Sequence, residues 1–338
     1  MRLGLAALFL TPLLCHGGSG DATCMPCHNQ ETAHFRVTPM GKALETAAEC
    51  EILKGHPLLQ YQEGAYHTEI KRDGDRSVLT VTRGKETFTV PILWAFGQGQ
   101  AGQTYVFEYD GAMFESRASF YVAAGALDTT IGALGTAPKD IVEAAGRRMD
   151  AAGARSCFGC HSNNGVSGGK LVMEALVPGV GCQSCHGAVE KHANAVLAGD
   201  VKGAALPRLN DLSPEDMANL CGKCHRTWAS IAEGGPLGPN NVRFQPYRLA
   251  NSKCYDVDDR RIRCTACHDP HEPLNTNLAS YDGKCTACHA TSLHTRTCPV
   301  GKTRCVECHM PKIALPGAHS RFTDHQIRIA RPGEPYPN

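Results

Sequence analysis

One pentapeptide recurs seven times along the chain. It reads Cys24-Met-Pro-Cys27-His28, Cys157-Phe-Gly-Cys160-His161, Cys182-Gln-Ser-Cys185-His186, Cys221-Gly-Lys-Cys224-His225, Cys264-Thr-Ala-Cys267-His268, Cys285-Thr-Ala-Cys288-His289 and Cys305-Val-Glu-Cys308-His309. Two thiols three residues apart lie on one face of a helical turn, so both sulfurs can bond the two vinyl groups of one porphyrin. The His that follows then projects at the iron as proximal ligand. The rival chemistry is a set of zinc ribbons, which also pair Cys-x-x-Cys units but need no His directly after the second Cys. His is 16 of 338 residues, so its presence after all seven units by chance is on the order of one in a billion. The motifs therefore predict seven covalently bound haem c groups.

Whether such irons carry electrons or act on a substrate depends on the sixth ligand. An iron held by two imidazoles is coordinatively full and suits electron transfer, whereas an open position binds a small molecule. Beyond the seven proximal imidazoles and His16 near the N-terminus, the chain holds His34, His56, His67, His192, His271, His294, His319 and His325. His34 and His192 each lie six residues past a proximal His, and His294 five residues past His289. His271 follows His268 too closely to serve the same iron, and Pro270 turns the chain toward a neighbour. His319 and His325 sit in a tail with no motif of its own, as a segment folding back over earlier haems would. These six are the expected distal ligands. His56 and His67 fall in or beside strand-like sequence, where a surface role is the plainer reading; without them one iron is open or takes Met40 or another side chain. No catalytic residue is assigned.

The elements that must position these groups are uneven. After the first motif comes a long gap before Cys157. In it, Tyr66–Ile70, Ser77–Arg83, Thr87–Trp94, Thr104–Tyr109 and Met113–Phe120 are β-branched and aromatic-rich with partial alternation, and Asp73-Gly74, Arg83-Gly84 and Asp110-Gly111 read as hairpin turns. This predicts an antiparallel meander of five strands, followed by a helix over Ile141–Asp150. The other six motifs are crowded, leaving each haem a short helix and a loop, so the porphyrins themselves must serve as core. The expected class is a mainly α and irregular multihaem fold organised around packed haems, with a small antiparallel β-meander insertion after the first haem. The expected divisions are 1–20 signal peptide, 21–60 first haem segment, 61–125 β-rich insertion, 126–312 six-haem domain and 313–338 capping tail.

Arg2 and the short apolar run Leu3–Leu14 read as an export signal, and no stretch approaches the roughly 20 apolar residues of a transmembrane helix. A periplasmic or extracellular location follows. The rival is a lipid anchor at Cys15, where Leu14 stands in place of the small residue such signals favour. Beyond the motifs and Cys15, three Cys remain. Cys254 and Cys298 flank the same motifs and could pair as a disulfide; Cys50 reads as a buried thiol. The formal net charge of +1 and the lack of a basic run argue against nucleic acid. Propionates and oxidised irons of seven haems would carry that charge to roughly −6, which matters for steering redox partners.

Four segments resemble bacterial multihaem cytochromes c: Cys182–His192, Cys264–His271, Cys305–Lys312 and Phe322–His325. That group is related to the tetrahaem electron carriers of ammonia oxidisers and to the pentahaem nitrite reductases. Trp94–Tyr105 is similar to the strand region after the first haem in several members. The resemblance implies a mostly helical haem-packing fold with parallel and perpendicular haem pairs, and distal roles for His192, His271 and His325. The nitrite reductases carry Lys in place of His at their catalytic motif, and no Cys-x-x-Cys-Lys occurs here.

Two functions are thereby expected. The first is electron transfer along bis-His haems between redox partner proteins, a quinol-linked donor and a terminal acceptor or reductase, with a filament or oligomer as a variant. The alternative is an oxidoreductase acting on a small nitrogen or sulfur oxyanion, of the nitrite, hydroxylamine or sulfite type, at one open haem.

Overall fold

The computed structural model describes residues 21–187, 189–200, 202–289 and 298–337. The export signal, Cys15 and His294 lie outside them.

Alternation builds the first half. In the strand Arg76–Arg83 (β4), Ser77, Leu79 and Val81 are buried while the residues between them face outward. Tyr66–Asp73 (β3) buries Tyr66, Thr68 and Ile70 in the same way. With Leu58–Glu63 (β2) and Glu86–Pro91 (β5) they form a four-stranded antiparallel sheet in the order β2-β3-β4-β5. A second antiparallel sheet has the order β1-β6-β7-β8-β10, from Leu44–Thr46 (β1), Trp94–Phe96 (β6), Gln103–Tyr109 (β7), Ala112–Tyr121 (β8) and Gly146–Arg148 (β10); Ala126–Thr129 (β9) also pairs with β8. The turn from β7 to β8 is Asp110-Gly111, both residues at positive φ (49° and 67°), the two-residue geometry that matches strand twist.

The two sheets share one core. Ile70, Leu79, Val81 and Val90 of the first meet Tyr105, Phe107, Phe114 and Phe120 of the second. Burying each such aliphatic or aromatic side chain contributes roughly 1.5–3 kcal/mol. Two helices come earlier in the chain, Asn29–Arg36 (α1) and Glu51–Gly55 (α2); a third, Ile141–Ala145 (α3), adds Ala144 and Ala145 to this core and is capped by Asp140, whose side chain accepts from the Val142 and Glu143 N–H groups. Arg117 of β8, 8% exposed, donates to both carboxylate oxygens of Glu63 on β2, at 2.6 Å each, and pins the sheets together.

This corrects the expected fold class. Of the described residues 33% are helical and 24% strand, with the strands in several antiparallel sheets, so the fold is not mainly α and the β part is no small insertion. The short strands β1 and β10 are held by partners distant in sequence, Leu44 opposite Phe96 and Gly146 opposite Ser116, and carry little local signal. The helix expected over Ile141–Asp150 stops at Ala145 because Gly146–Arg148 is taken up as the edge strand beside β8.

The second half consists of short helices. Ala151–His161 (α4), Gln183–His186 (α5), Pro214–His225 (α7), Asp282–His289 (α11) and Cys305–His309 (α12) each end on a motif His, and Cys264–Cys267 (α10) stops one residue before His268. Asp150 caps α4, accepting from Gly153 N–H, and Ser213 caps α7, accepting from Asp216 N–H. Val189–Leu197 (α6), Trp228–Ala232 (α8) and Gln245–Ala250 (α9) lie between. A ribbon of Lys312–Ala314 with Arg321–Thr323 folds the tail back. Each of the three clusters of buried apolar side chains among the described residues includes strand residues of the first half, and none belongs wholly to residues 160–312.

Candidate haem-attachment sites

Each motif is wound as a turn that presents its three groups together. His28, His186 and His268 each donate their backbone N–H to the carbonyl of the first Cys of the motif, at 2.9 Å. Three motif imidazoles face a second imidazole contributed by a distant part of the chain. The ring centroids of His28 and His192 are 6.2 Å apart, those of His186 and His271 6.1 Å, and those of His268 and His325 6.1 Å. Two imidazoles on opposite faces of one metal, each with its nitrogen about 2.0–2.1 Å away, would bring ring centroids to about 6.3 Å. Direct stacking would hold rings closer, so these separations fit an atom held between the rings.

The ring nitrogens not aimed at such a centre are tied down. Nδ1–H of His161 donates to the Ala43 carbonyl (2.8 Å), that of His309 to the Arg328 carbonyl (3.0 Å), and that of His325 to the Thr323 carbonyl (3.0 Å); His192 meets the Ala204 carbonyl likewise. His271 pairs through Nδ1 with Asp269 at 3.3 Å, and His34 through Nδ1 with Glu272. An Nδ1–H so engaged fixes ring and tautomer and leaves Nε2 with its lone pair, the usual support of a metal-binding His. Loss of solvent also favours the neutral form of three rings, His161, His225 and His325. It pushes His161 and His225 below the ordinary imidazole value, and His325, beside His268, down to about 4. Neutral imidazole is the ligating form.

Other candidates stand differently. His319 is engaged through Nε2, at 2.7 Å from Asp128 Oδ2, with its ring against Tyr121. His56 bonds the Ile52 carbonyl and packs on Phe120, and His67 meets Gln62 on the outer part of β3. The Met40 carbonyl accepts from Val180 N–H. Among the described residues, the rings of His161 and His225 meet no second imidazole at the separation seen in the three pairs. Cys254 and Cys298 are not joined, and Cys50 is buried, its thiol donating to Gln103 at 3.1 Å.

The motifs adjoin one another. Cys160 of the second meets Cys224 of the fourth, Cys221 of the fourth meets Cys264 of the fifth, and Cys285 of the sixth meets Cys305 of the seventh. Cys267 of the fifth lies beside Cys285 of the sixth, and His28 of the first beside His186 of the third. Cys185 of the third neighbours Cys221 of the fourth, so that all seven motifs form one connected set in which the second branches from the fourth.

These residues fit haem on a further ground. Arg243, Arg263 and Arg328 carry buried Nε groups with no hydrogen-bond partner. An orphaned guanidinium N–H inside a protein is costly, and a propionate is the acceptor that would satisfy it. None of these arginines stood out in the sequence, because what distinguishes them is burial.

Residues 134–187, which include the second and third motifs, match the family described as cytochrome c554 and c-prime. The multihaem cytochrome MtrA of Shewanella baltica (strain OS185) is 24% identical over 179 residues, 41% of this chain and 53% of that protein. The chain thus spans about half the length of this curated relative. The crystal structure of the outer cell wall cytochrome OcwA superposes with a TM-score of 0.53 at 14% identity, over 92% of this chain and 79% of that one, a likeness of fold. No described helix is long and apolar enough to cross a membrane.

Proposed function

We propose that this chain, a multihaem c-type cytochrome that binds haem covalently and belongs to electron transport, carries seven haems and relays electrons through them from one redox partner protein to another. The observation that carries the reading is the adjacency of the seven motifs in one connected set, joined to the three imidazole pairs at 6.1–6.2 Å. Bound haem supplies the one-electron iron couple. The chain's own residues would do the rest: the cysteine pairs would tether haem, and the motif His together with His192, His271 and His325 would hold iron. Backbone carbonyls hold the ligating rings in one orientation. His34, with Nδ1 on Glu272, keeps Nε2 for the same duty, and His294 remains a candidate from its spacing. A kinship with the tetrahaem carriers of ammonia oxidisers and the pentahaem nitrite reductases belongs to this reading, as do export to the periplasm or cell exterior and a division into a first haem segment, a six-haem domain and a capping tail. A quinol-linked donor and a terminal acceptor are the partner classes it calls for.

A second reading is favoured by one feature. His161 and His225 are neighbours without a facing imidazole among the described residues, and Arg243 lies beside His161. An iron left open there would take a small anionic ligand such as nitrite or sulfite. Low-temperature electron paramagnetic resonance on the fully oxidised haem-loaded protein separates the two. Seven low-spin irons, unchanged by added nitrite, hydroxylamine or sulfite, are expected for the relay. A high-spin iron that shifts on addition would establish the second reading in its place.

A further inference from the structure

The deepest charged group among the described residues lies in neither a motif nor a sheet. Arg248 in α9 and Asp324 in the tail are both 0% exposed. Arg248 Nε donates to Asp324 Oδ1 at 2.8 Å and Nη2 to Oδ2 at 3.0 Å. The same guanidinium reaches Gln326 Oε1 at 2.6 Å and the Pro337 carbonyl at 2.7 Å, and it lies 4.5 Å from the ring centroid of Tyr336. Burying two charges costs several kcal/mol per ion, and their mutual attraction offsets this only where the geometry is good and the remaining donors are satisfied. Such a pair adds little net stability and is better understood by the conformation it enforces.

What it enforces is the course of residues 324–328. Asp324 N–H donates to the Pro311 carbonyl at 3.0 Å, close behind the seventh motif. Ser252 Oγ donates to the His325 carbonyl at 3.1 Å and accepts from Ile327 N–H at 2.8 Å. Two residues carried by this short stretch matter for haem. His325 faces His268 of the fifth motif, and the Arg328 carbonyl accepts Nδ1–H of His309, the motif His of the seventh. Arg328 N–H in turn donates to the His309 carbonyl at 3.1 Å.

We propose that Arg248 is a positioning residue, which through Asp324 holds one five-residue strap that presents His325 to the iron of the fifth haem and orients His309 on the iron of the seventh. The proposal rests on the ligand assignment made above. It follows that one side chain outside every motif sets the ligand fields of two of the seven haems together. The electronic environment of an iron depends on ligand orientation and on hydrogen bonding to the ligand, so loosening the strap should move both centres and leave the others where they are.

The test compares holoprotein variants by electron paramagnetic resonance and by spectroelectrochemical titration. His325→Ala is the reference and should turn one low-spin iron high-spin. Arg248→Met should give the same high-spin signal in part of the molecules and shift two of the seven midpoint potentials. Arg248→Lys, which cannot hold the carboxylate with a planar fork, should fall between wild type and Arg248→Met. Ser252→Ala, a milder change to the same strap, should shift the same two potentials less, and it keeps the test open if Arg248→Met does not accumulate. If His325→Ala yields the high-spin iron while Arg248→Lys and Ser252→Ala leave all seven potentials unmoved, the positioning role is wrong. If His325→Ala leaves every iron low-spin, the ligand assignment beneath it is wrong instead.

Discussion

Residues 44–148 and the region after them are built on different principles. In the first, strands alternate buried and exposed residues, two sheets close on each other, and Leu79, Val81, Tyr105 and Phe107 are fully buried in a shared interior. In the second, helices of four to twelve residues carry motif cysteines and imidazoles. Isolated helices shorter than about 12–15 residues are marginal in water, so something other than propensity must hold these. Apolar side chains do not: among the described residues no buried apolar cluster belongs wholly to residues 160–312. Seven porphyrins are the proposed substitute. The comparison teaches that one chain can draw its cohesion from side-chain packing in one region and from a covalent cofactor in the next.

The largest effect that would break the comparison concerns haem itself. Chain produced where haem is not attached should keep slow amide exchange in β3, β4, β7 and β8, while α7, α9, α11 and α12 exchange as unfolded peptide. Hydrogen-exchange mass spectrometry reads both regions at once. Protection of the short helices without haem would mean that they have a core of their own.

A substitution in the sheet core sharpens the contrast from the other side. Phe107 is fully buried and stacked on Phe114 with ring centroids 5.4 Å apart. Phe107→Ala should cost about 3–5 kcal/mol. In denaturant titrations followed by tyrosine fluorescence and by haem absorbance, the fluorescence transition should move and the absorbance transition should stay.

The smallest effect is one of pH. Burial pushes the Cys50 thiol from 9.0 up to about 11. Between those values the folded chain keeps a proton that the unfolded chain has released, so stability falls as pH rises through the window, by about 3 kcal/mol at most. The contribution is fully present below the lower value. The difference between wild type and Cys50→Ala in urea midpoint, measured on either side of the window, isolates this term from the tyrosines that titrate nearby.

The sequence was most legible where chemistry demands fixed spacing. The seven motifs needed only counting, and His192 and His325, each facing a motif imidazole, stood in segments already marked by their distance from a motif or by the tail that carries them. His271 was marked because it follows His268 too closely to serve the same iron and Pro270 turns the chain toward a neighbour. Strands β3 and β4 were legible from their alternation, and β7 and β8 from their β-branched and aromatic residues. What escaped depends on partners far away in the chain. β1 and β10 are three residues each and exist because Phe96 and Ser116 stand opposite them. Missing them made the β part look like an insertion and the fold look mainly α. Arg248 and Asp324 escaped because nothing local distinguishes a buried ion pair from two surface charges.

The most direct test of the central claim is peptide mapping by mass spectrometry of the exported protein after denaturation. The account predicts one haem retained covalently on each of the seven Cys-x-x-Cys-His peptides, and none elsewhere. Motif peptides recovered as free thiols, or with zinc that denaturation releases, would contradict it.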